Sequence, residues 1–289
     1  MVTLYLMGEK GLSVLKGVLC CKSIISQVIG AQDKNVQNDY YHDIKTLCNE
    51  SGLSFYDRKD NFVANTAYSL AIGWRWMIPT LNDNKLIVLH DSLLPKYRGF
   101  APLVNMLINH EPIIGVTALY ANGEYDCGDI IAQKSIEINY PIRIHDAINQ
   151  ISELYADLVL SILNKIQLGI ELKAAKQDES AASYSLWRDE DDYAIDWSRD
   201  AEYIQQFIYS VGFPYKGASS FIEDLKYRVL DCEIRNDVKV ENRCPGKVIF
   251  VEDGCPIVVC GKGLLKITQL ETEEGVSVLP LDKFRIRFK

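Results

Sequence analysis

The chain has 289 residues, of which 48% are hydrophobic and 24% are charged, and its formal net charge is −8. The length allows two domains of unequal size, and the composition is typical of globular proteins and excludes disordered and fibrous ones. The acidic balance disfavours a nucleic-acid partner, because counterion release needs Lys and Arg on the contact face, although a local basic patch stays compatible with it.

The first half of the chain alternates between short apolar runs and helix-like stretches. Strands are predicted at residues 3–7, 24–29, 69–72 and 86–89, and helices at 12–20 and 39–48. This alternation predicts βαβ units and a mainly parallel, Rossmann-like α/β domain. Gly8 and Gly11 suit a tight turn into a helix, but the G-x-G-x-x-G spacing is absent, so a classical NAD site is not expected.

The second half changes from mixed structure to strands and turns. A helix is predicted at 102–110, strands at 115–121 and 130–138, a long amphipathic helix at 142–168 and a further helix at 200–209. The polar segment 173–185 marks the domain boundary, which divides the chain into 1–183 and 184–289. Strands at 247–251, 256–259 and 264–270 predict a small β-rich, OB-like barrel. The exposed edges of such a domain favour a homodimer.

Cysteine and histidine positions give no support for a metal site. The eight cysteines form no C-x-x-C pair, and the four histidines lack zincin spacing. We therefore expect a reduced cytoplasmic protein with buried free thiols. The N-terminal segment lacks the basic region and cleavage site of a signal peptide, and no apolar run is long enough for a bilayer.

A histidine and an aspartate, each in a turn, are the candidate catalytic pair. His90 opens the run His90-Asp91-Ser92-Leu93-Leu94-Pro95-Lys96-Tyr97-Arg98-Gly99, and Asp126 stands 36 positions later in Asp126-Cys127-Gly128-Asp129. An imidazole paired with a carboxylate indicates a catalytic site. The competing interpretation is structural, because a histidine at a strand end is often a satisfied core group and Asp-x-Gly is common in turns.

This pair resembles the active-site signature of the tetrahydrofolate-dependent formyltransferases. Further segments are similar to pieces of that family: Gly73-Trp74-Arg75-Trp76-Met77-Ile78-Pro79, Gly115-Val116-Thr117, Asp129-Ile130-Ile131-Ala132-Gln133 and Ile195-Asp196-Trp197-Ser198. The resemblance is strongest across residues 69–133. It implies a Rossmann-like formyltransferase domain, followed by a smaller C-terminal domain like that of methionyl-tRNA formyltransferase and its sugar-modifying relatives.

The resemblance implies an enzyme that takes its formyl group from 10-formyltetrahydrofolate. His90 is then expected to stabilise the oxyanion, while Asp126 holds His90 and accepts the amine proton. The family usually has Asn two residues before the histidine, where this chain has Val88. Three alternatives follow: a backbone amide or water replaces the lost donor, Asn105 or Asn109 reaches the site, or the protein is slow or only binds ligands.

The resemblance also implies which residues bind the two substrates. Folate contacts are expected from Trp76, Met77, Ile78, Ser92, Leu93 and Asp129, and acceptor contacts from Trp74, Arg75, Tyr97 and Arg98. Competing structural interpretations are packing for the tryptophans, a salt bridge for Arg75 and a solvated loop for Tyr97 and Arg98.

The acceptor is inferred from charge and domain size by analogy. The acidic balance and the compact second domain are most similar to nucleotide-sugar N-formyltransferases of lipopolysaccharide O-antigen and capsule synthesis. The expected acceptor is therefore the amine of a nucleotide-linked amino sugar. The alternatives are methionyl-tRNA, or no reaction at all in a non-catalytic folate or nucleotide-binding module.

Overall fold

A computed structural model describes residues 1–60, 65–78, 85–281 and 283–289. The chain divides into two compact units. The first comprises Met1–Leu103, Pro112–Ile138 and Asp146–Trp187, and the second comprises Val104–Glu111, Asn139–His145 and Arg188–Lys289. The second unit thus includes two short upstream pieces beside the long C-terminal stretch.

The first unit is built around a mixed sheet. Its strands are β1 (Val2–Leu6), β2 (Ile25–Gly30), β3 (Phe55–Asp57), β4 (Tyr68–Ile72), β5 (Lys85–His90), β6 (Arg98–Gly99), β7 (Ile113–Tyr120), β8 (Ile130–Glu137) and β9 (Tyr184–Ser185). Within the described residues, seven strands form one sheet in the order β3-β2-β1-β4-β5-β7-β8, and β6 pairs with β9. Strands β1 to β5 are parallel, whereas β7 is antiparallel to both of its neighbours. The predicted mainly parallel α/β sheet is confirmed.

The central strands form where the sequence has continuous apolar runs. All five residues of β1 are buried, as are the last four of β4, which is typical of parallel strands covered on both faces. Helices in the chain are α1 (Gly8–Val18), α2 (Tyr41–Ser51), α3 (Pro102–Ile108), α4 (Ile144–Gln167) and α5 (Ala201–Ser210). Helix α1 begins four residues before its predicted start, because Gly8 adopts φ +68° and turns the chain directly after β1.

The second unit contains an antiparallel sheet. Its strands are β10 (Ala218–Ile222), β11 (Leu225–Arg235), β12 (Val248–Glu252), β13 (Cys255–Val259) and β14 (Leu264–Thr272). Their order is β10-β11-β14-β13-β12, with every described pairing antiparallel. Phe288 bridges to Ile222 in edge strand β10, and Arg287 bridges to Lys247, next to edge strand β12. The C-terminal segment therefore pairs with residues at both edges of this sheet. The homodimer stays a prediction.

Glu190 links several cations of the second unit. Its carboxylate accepts a hydrogen bond from Lys226 at 2.5 Å and pairs with Arg228 and Lys216. Burial raises the pKa of the Glu190 carboxyl, but the hydrogen bonds from Lys226 and Arg228 outweigh it and lower that pKa from 4.5 to about 2. A lowered carboxyl pKa stabilises the folded state above the unfolded value, and this stabilisation is lost as the pH falls through the folded value.

We therefore expect the Glu190→Gln variant to lose part of the acid dependence of stability. In the parent, the free energy of unfolding should fall between pH 4.5 and about 2 partly because Glu190 takes up a proton. The measurement is urea unfolding at several pH values across that window. Glu241→Gln is the control, because Glu241 pairs with Lys239 in a fully surface-exposed contact. Parallel stability curves for the parent and Glu190→Gln would contradict the expectation.

Free thiols are present in both units. All eight cysteines lie in the described ranges and are free, and Cys21, Cys48, Cys232 and Cys260 are buried. Burial raises the pKa of Cys48 to about 12, which keeps that thiol protonated and unreactive. No helix in the described ranges combines the length and the hydropathy needed to cross a membrane.

Candidate active site

His90 is the last residue of β5, at the carboxyl edge of the parallel strands. Open α/β sheets bind ligands beyond this edge. The His90 side chain is 8% exposed. Its Nε2 lies 2.8 Å from the carbonyl oxygen of Tyr97, and its Nδ1 lies 3.4 Å from Oδ2 of Asp126. Both ring nitrogens therefore face oxygen atoms, and the structure brings the predicted catalytic pair together.

Asp126 is held in an unusual backbone conformation. Its φ is +56°, a left-handed value that costs most non-glycine residues about 1–3 kcal/mol but that aspartate adopts more readily than others. Oδ2 accepts a hydrogen bond from the Gly99 amide at 2.9 Å. At Gly128 a Cβ would lie 1.6 Å from the Tyr120 carbonyl oxygen, so only glycine fits there. The Asp-x-Gly pattern is thus required by the backbone, and it directs the Asp126 carboxylate toward His90.

Arg98, expected to contact the acceptor or to lie in a solvated loop, is buried inside the first unit. Its side chain is fully buried, and all five of its N–H groups meet protein acceptors. They donate to Oε1 of Gln177, at 3.1 and 2.8 Å, to the carboxylate of Glu179, at 2.8 and 2.7 Å, and to the Tyr184 hydroxyl at 3.3 Å. The hydrogen bond to Glu179 raises the pKa of Arg98 above its ordinary value. Arg98 is therefore buried and ion-paired and is not a solvated loop residue, and its contact with a substrate stays a prediction.

Residues 177–185, which we call the strap, bind the turn that follows His90. Ser183 and Ser185 accept hydrogen bonds through their carbonyl oxygens from the amides of Arg98, at 2.8 Å, and Phe100, at 3.0 Å. The Ser183 hydroxyl also accepts a hydrogen bond from the Tyr97 amide at 2.9 Å. Tyr97 thus meets His90 through its carbonyl oxygen, and its main chain is held by the strap.

Thr117 and Gln133 support the same turn from the neighbouring strands. The Thr117 hydroxyl donates to the Ser92 carbonyl oxygen at 2.6 Å, and Gln133 Nε2 donates to the Leu94 carbonyl oxygen at 2.9 Å. The buried Ser92 hydroxyl itself donates to the Lys96 carbonyl oxygen at 2.7 Å. The Ser92 side chain, predicted to contact folate, therefore shapes the turn in this structure.

Leu93 and Asp129, the other two folate candidates near the catalytic pair, differ in exposure. Leu93 is half-buried, and a Cβ added at Gly115 would lie 2.6 Å from its Cδ2, so the Leu93 side chain packs on β7. Asp129 is exposed directly before β8, and its carbonyl oxygen accepts a hydrogen bond from the Tyr120 amide at 3.0 Å. Their contacts with folate stay predictions.

A partly buried ionic cluster fixes the residue after His90. The Asp91 carboxylate pairs with the Lys10 ammonium and accepts a hydrogen bond from the Tyr155 hydroxyl. Burial raises the pKa of the Asp91 carboxyl, but the charge and hydrogen bond of Lys10 outweigh it and lower that pKa below its ordinary value. The side chains are separated by 81 and 64 residues in the sequence, and no local pattern joins them. This cluster holds the main chain at the end of β5.

The segment after β4 is an aromatic cluster. Trp74 meets Tyr5 edge-on at 5.1 Å between ring centroids and Trp76 at 5.5 Å, while the Arg58 guanidinium lies 4.1 Å from the Trp76 ring. Tyr5 Oη and Trp74 Nε1 are buried polar atoms without a hydrogen-bond partner in the described part of the chain. Trp74 is therefore half-buried in aromatic contacts and keeps a buried N–H donor without a partner in the described part of the chain. Its contact with an acceptor stays a prediction.

The remaining candidates in this segment are solvent-accessible to different degrees. Arg75 pairs with Asp33 at 2.7 Å, which agrees with the salt-bridge interpretation and leaves its side chain 44% exposed. Met77 is 81% exposed, and Ile78 is half-buried against the core of the sheet. Pro79, the last residue of the predicted folate segment, lies outside the described residues.

Val88 occupies the position where the family usually has asparagine. It lies two residues before His90 on β5, so both side chains project from the same face of the sheet. Val88 is in register with Ala71, which is in register with Tyr5, and it packs against the apolar cluster of Tyr5, Ile29 and Ala71. An apolar residue thus fills the expected amide position.

The two asparagines considered as replacement donors belong to the second unit. Asn105 lies in α3, where its Oδ1 accepts a hydrogen bond from Nη1 of Arg188 at 3.1 Å. The Asn109 amide donates to the Asn105 carbonyl oxygen at 3.0 Å. A role for either residue beside His90 stays a prediction.

Several residues of the site were not predicted from the sequence, although some of them lie in segments that resemble the family. Thr117 and Gln133 lie in segments that resemble the family. Their contacts with the turn after His90 depend on the register of neighbouring strands, which the sequence does not give. Gln177 and Glu179 lie in a polar stretch interpreted as a domain boundary. Their contacts with Arg98 span 79 and 81 residues, so nothing local in the sequence indicates them.

Two family models match the chain. Formyl transferase matches residues 60–162, and Formyl transferase, C-terminal domain, matches residues 188–284; together they cover more than two thirds of the 289 residues. The methionyl-tRNA formyltransferase of Citrifermentans bemidjiense is 33% identical over 204 residues, which are 70% of this chain and 62% of that protein. The chain thus spans less than two thirds of the length of this curated relative.

Solved structures show the same fold at low identity. The N-formyltransferase from Helicobacter canadensis, in complex with folinic acid and dTDP-3-aminofucose, gives a TM-score of 0.68 at 15% identity, covering 92% of this chain and 97% of that one. The methionyl-tRNA formyltransferase from Clostridium thermocellum gives 0.57 at 16% identity, covering 81% and 93%. With both domains matched in order and this fold observed, the chain belongs to the formyl transferase family.

Proposed function

We propose that this chain transfers a formyl group from 10-formyltetrahydrofolate to the amine of a nucleotide-linked amino sugar. The observation that carries the proposal is the apposition of His90 and Asp126, 3.4 Å apart at the carboxyl edge of β5, in a chain of this family. The folinic acid bound to the Helicobacter canadensis relative supports the choice of donor.

The reaction forms one C–N bond and breaks another. The acceptor amine attacks the formyl carbon, the carbonyl oxygen becomes negatively charged, and the bond to N10 of the folate then breaks. The amine loses a proton and N10 gains one. Asp126 accepts the amine proton, directly or through a water, and passes it on to N10, while it holds the His90 ring in place.

His90 must change its hydrogen bond to act on the oxyanion. In the ligand-free arrangement an Nε2–H is directed at the Tyr97 carbonyl oxygen at 2.8 Å. We propose that this N–H turns to the developing oxyanion during transfer. One such donor accelerates acyl transfer by about 10²–10³-fold. Because Val88 supplies no second donor from its side chain, His90 bears a larger share of this stabilisation.

Charge supports a small acceptor over a tRNA. Residues 188–289 carry 15 Lys and Arg against 19 Asp and Glu. Several of those cations are already paired within the second unit, including Arg228 with Glu190 and Glu273, and Arg243 with Asp237. A nucleotide diphosphate needs few cations, whereas tRNA binding gains from each phosphate that is neutralised. Methionyl-tRNA is the second candidate, favoured by the name of the relative that is 33% identical.

The proposal is tested by donor binding followed by acceptor competition. Calorimetric titration with folinic acid should give saturable, micromolar binding. With 10-formyltetrahydrofolate present, a panel of nucleotide-linked amino sugars should then yield an N-formyl product by mass spectrometry, with release of tetrahydrofolate. Charged methionyl-tRNA, supplied separately, should yield none.

Each failure has a distinct meaning. No folinic acid binding at millimolar concentration, with and without the sugar panel, would refute the donor assignment. Formylation of methionyl-tRNA, with affinity that falls steeply as salt rises, would replace the sugar by tRNA. Folinic acid binding without transfer to either class of acceptor would favour a binding module.

A further inference from the structure

We propose that Gln177 is a positioning residue, whose side-chain amide couples the buried Arg98 to the left-handed turn that presents Asp126 to His90. The catalytic consequence rests on the proposed function. The coupling itself rests on geometry and is measurable without turnover.

The donor half of the Gln177 amide binds the Asp126 turn. Nε2 donates to the carbonyl oxygen of Asp126 at 2.7 Å and to that of Gly128 at 2.8 Å. A primary amide nitrogen has two hydrogens, so both are used. One nitrogen thus ties together two carbonyl groups of a turn whose first residue has φ +56°.

The acceptor half of the same amide binds Arg98. Oε1 accepts from Nε at 3.1 Å and from Nη2 at 2.8 Å. Guanidinium groups only donate and carbonyl groups only accept, so the amide has one orientation that satisfies both ends. Glu179 completes the cluster, because its carboxylate balances the charge of the buried Arg98.

The contacts close into a ring around the catalytic carboxylate. Arg98 is followed directly by Gly99, whose amide donates to Oδ2 of Asp126 at 2.9 Å. The Asp126 carboxylate is therefore held through Gly99, and its main chain is held through Gln177. Oδ2 lies 3.4 Å from His90 Nδ1, so a small rotation of the turn would separate the pair. Misplacing a catalytic group by 1 Å costs about 10²-fold in rate.

Gln177→Glu is the sharpest test, because it separates the two halves of the amide. The carboxylate still accepts from Arg98, but it replaces the NH₂ group by an oxygen that repels the carbonyls of Asp126 and Gly128. We expect kcat to fall by about 10–10²-fold, with KM for the formyl donor changed less than about two-fold. Gln177→Ala removes both halves of the amide, and its kcat should fall by at least as much.

The control is Lys176→Gln, an exposed neighbour on the segment before the strap. It should keep the parent kcat. Thermal unfolding of all variants checks that each is folded. If Gln177→Glu is not folded, Gln177→Ala is compared with Lys176→Gln and the parent in its place.

The structural readout is the nitrogen NMR spectrum of the His90 ring, recorded against pH in the absence of substrates. We expect the His90 signals to change in Gln177→Glu and to stay unchanged in Lys176→Gln. A kcat within three-fold of the parent would overturn the proposal, and so would a loss of kcat with unchanged His90 signals. If the parent transfers no formyl group, the proposed function fails, and the His90 spectra still decide whether Gln177 positions the pair.

Discussion

Replacing His90 by alanine should lower kcat of formyl transfer by about 10³-fold or more, while the affinity for folinic acid stays within about three-fold of the parent. The variant loses the proposed oxyanion donor and also the group that faces the Asp126 carboxylate at 3.4 Å. The turn itself keeps its supports, because Thr117 and Gln133 bind the main chain at Ser92 and Leu94 without help from His90. Steady-state kinetics and calorimetry measure the two quantities.

His42→Ala provides the matched control for this substitution. His42 is exposed in α2 and meets the ring of Tyr41 edge-on. Its removal should change neither kcat nor folinic acid affinity. A His90→Ala enzyme that keeps kcat within a few-fold of the parent would show that the proposed mechanism is wrong.

Replacing Val88 by asparagine should raise kcat, by up to about 10²-fold, because an amide donor would project from the same face of β5 as His90. The amide would also enter the apolar cluster of Tyr5, Ile29 and Ala71. We therefore expect the free energy of unfolding to fall by about 1–3 kcal/mol. Single-turnover formyl transfer and urea unfolding measure the gain and the loss.

Val88→Ala separates packing from hydrogen bonding at this position. It shortens the side chain and adds no donor, so it should lower stability without accelerating transfer. If Val88→Asn folds, binds folinic acid and transfers no faster than the parent, a missing amide donor does not limit the rate. The developing oxyanion would then be stabilised by His90 and by main-chain groups alone.

Elements with continuous apolar runs or strong helical periodicity were predictable from the sequence. Strands β1, β2, β4 and β5 and helix α4 all lie within two residues of their predicted bounds. Strand β3 was missed, because Phe55–Asp57 is only three residues long and carries no distinctive pattern. Three strands of the C-terminal antiparallel sheet were predicted, but the bridges from Phe288 and Arg287 reach positions 66 and 40 residues away, which no local pattern indicates.

The candidate site was predictable only as far as local sequence specifies it. His90 and Asp126 could be paired from their turns and from family resemblance, and the structure brings them together. The environment of Arg98 could not be predicted, because a Lys-Tyr-Arg run has the same sequence pattern whether its side chains are solvated or buried. Only the fold shows that its charge is balanced by Glu179 and that its donors are satisfied.

We expect the strap to reach the candidate site later in synthesis than the strands of the sheet. The sheet is complete when β8 ends at Glu137, but the strap ends at position 185, 48 residues later. At about 5–20 residues per second, a growing chain therefore waits several seconds between finishing its sheet and receiving the partners of Arg98. Over that interval the nascent chain lacks the hydrogen bonds from Gln177 to the main chain of the Asp126 turn. We therefore expect completion of the candidate site to be a separate and later event than folding of the sheet.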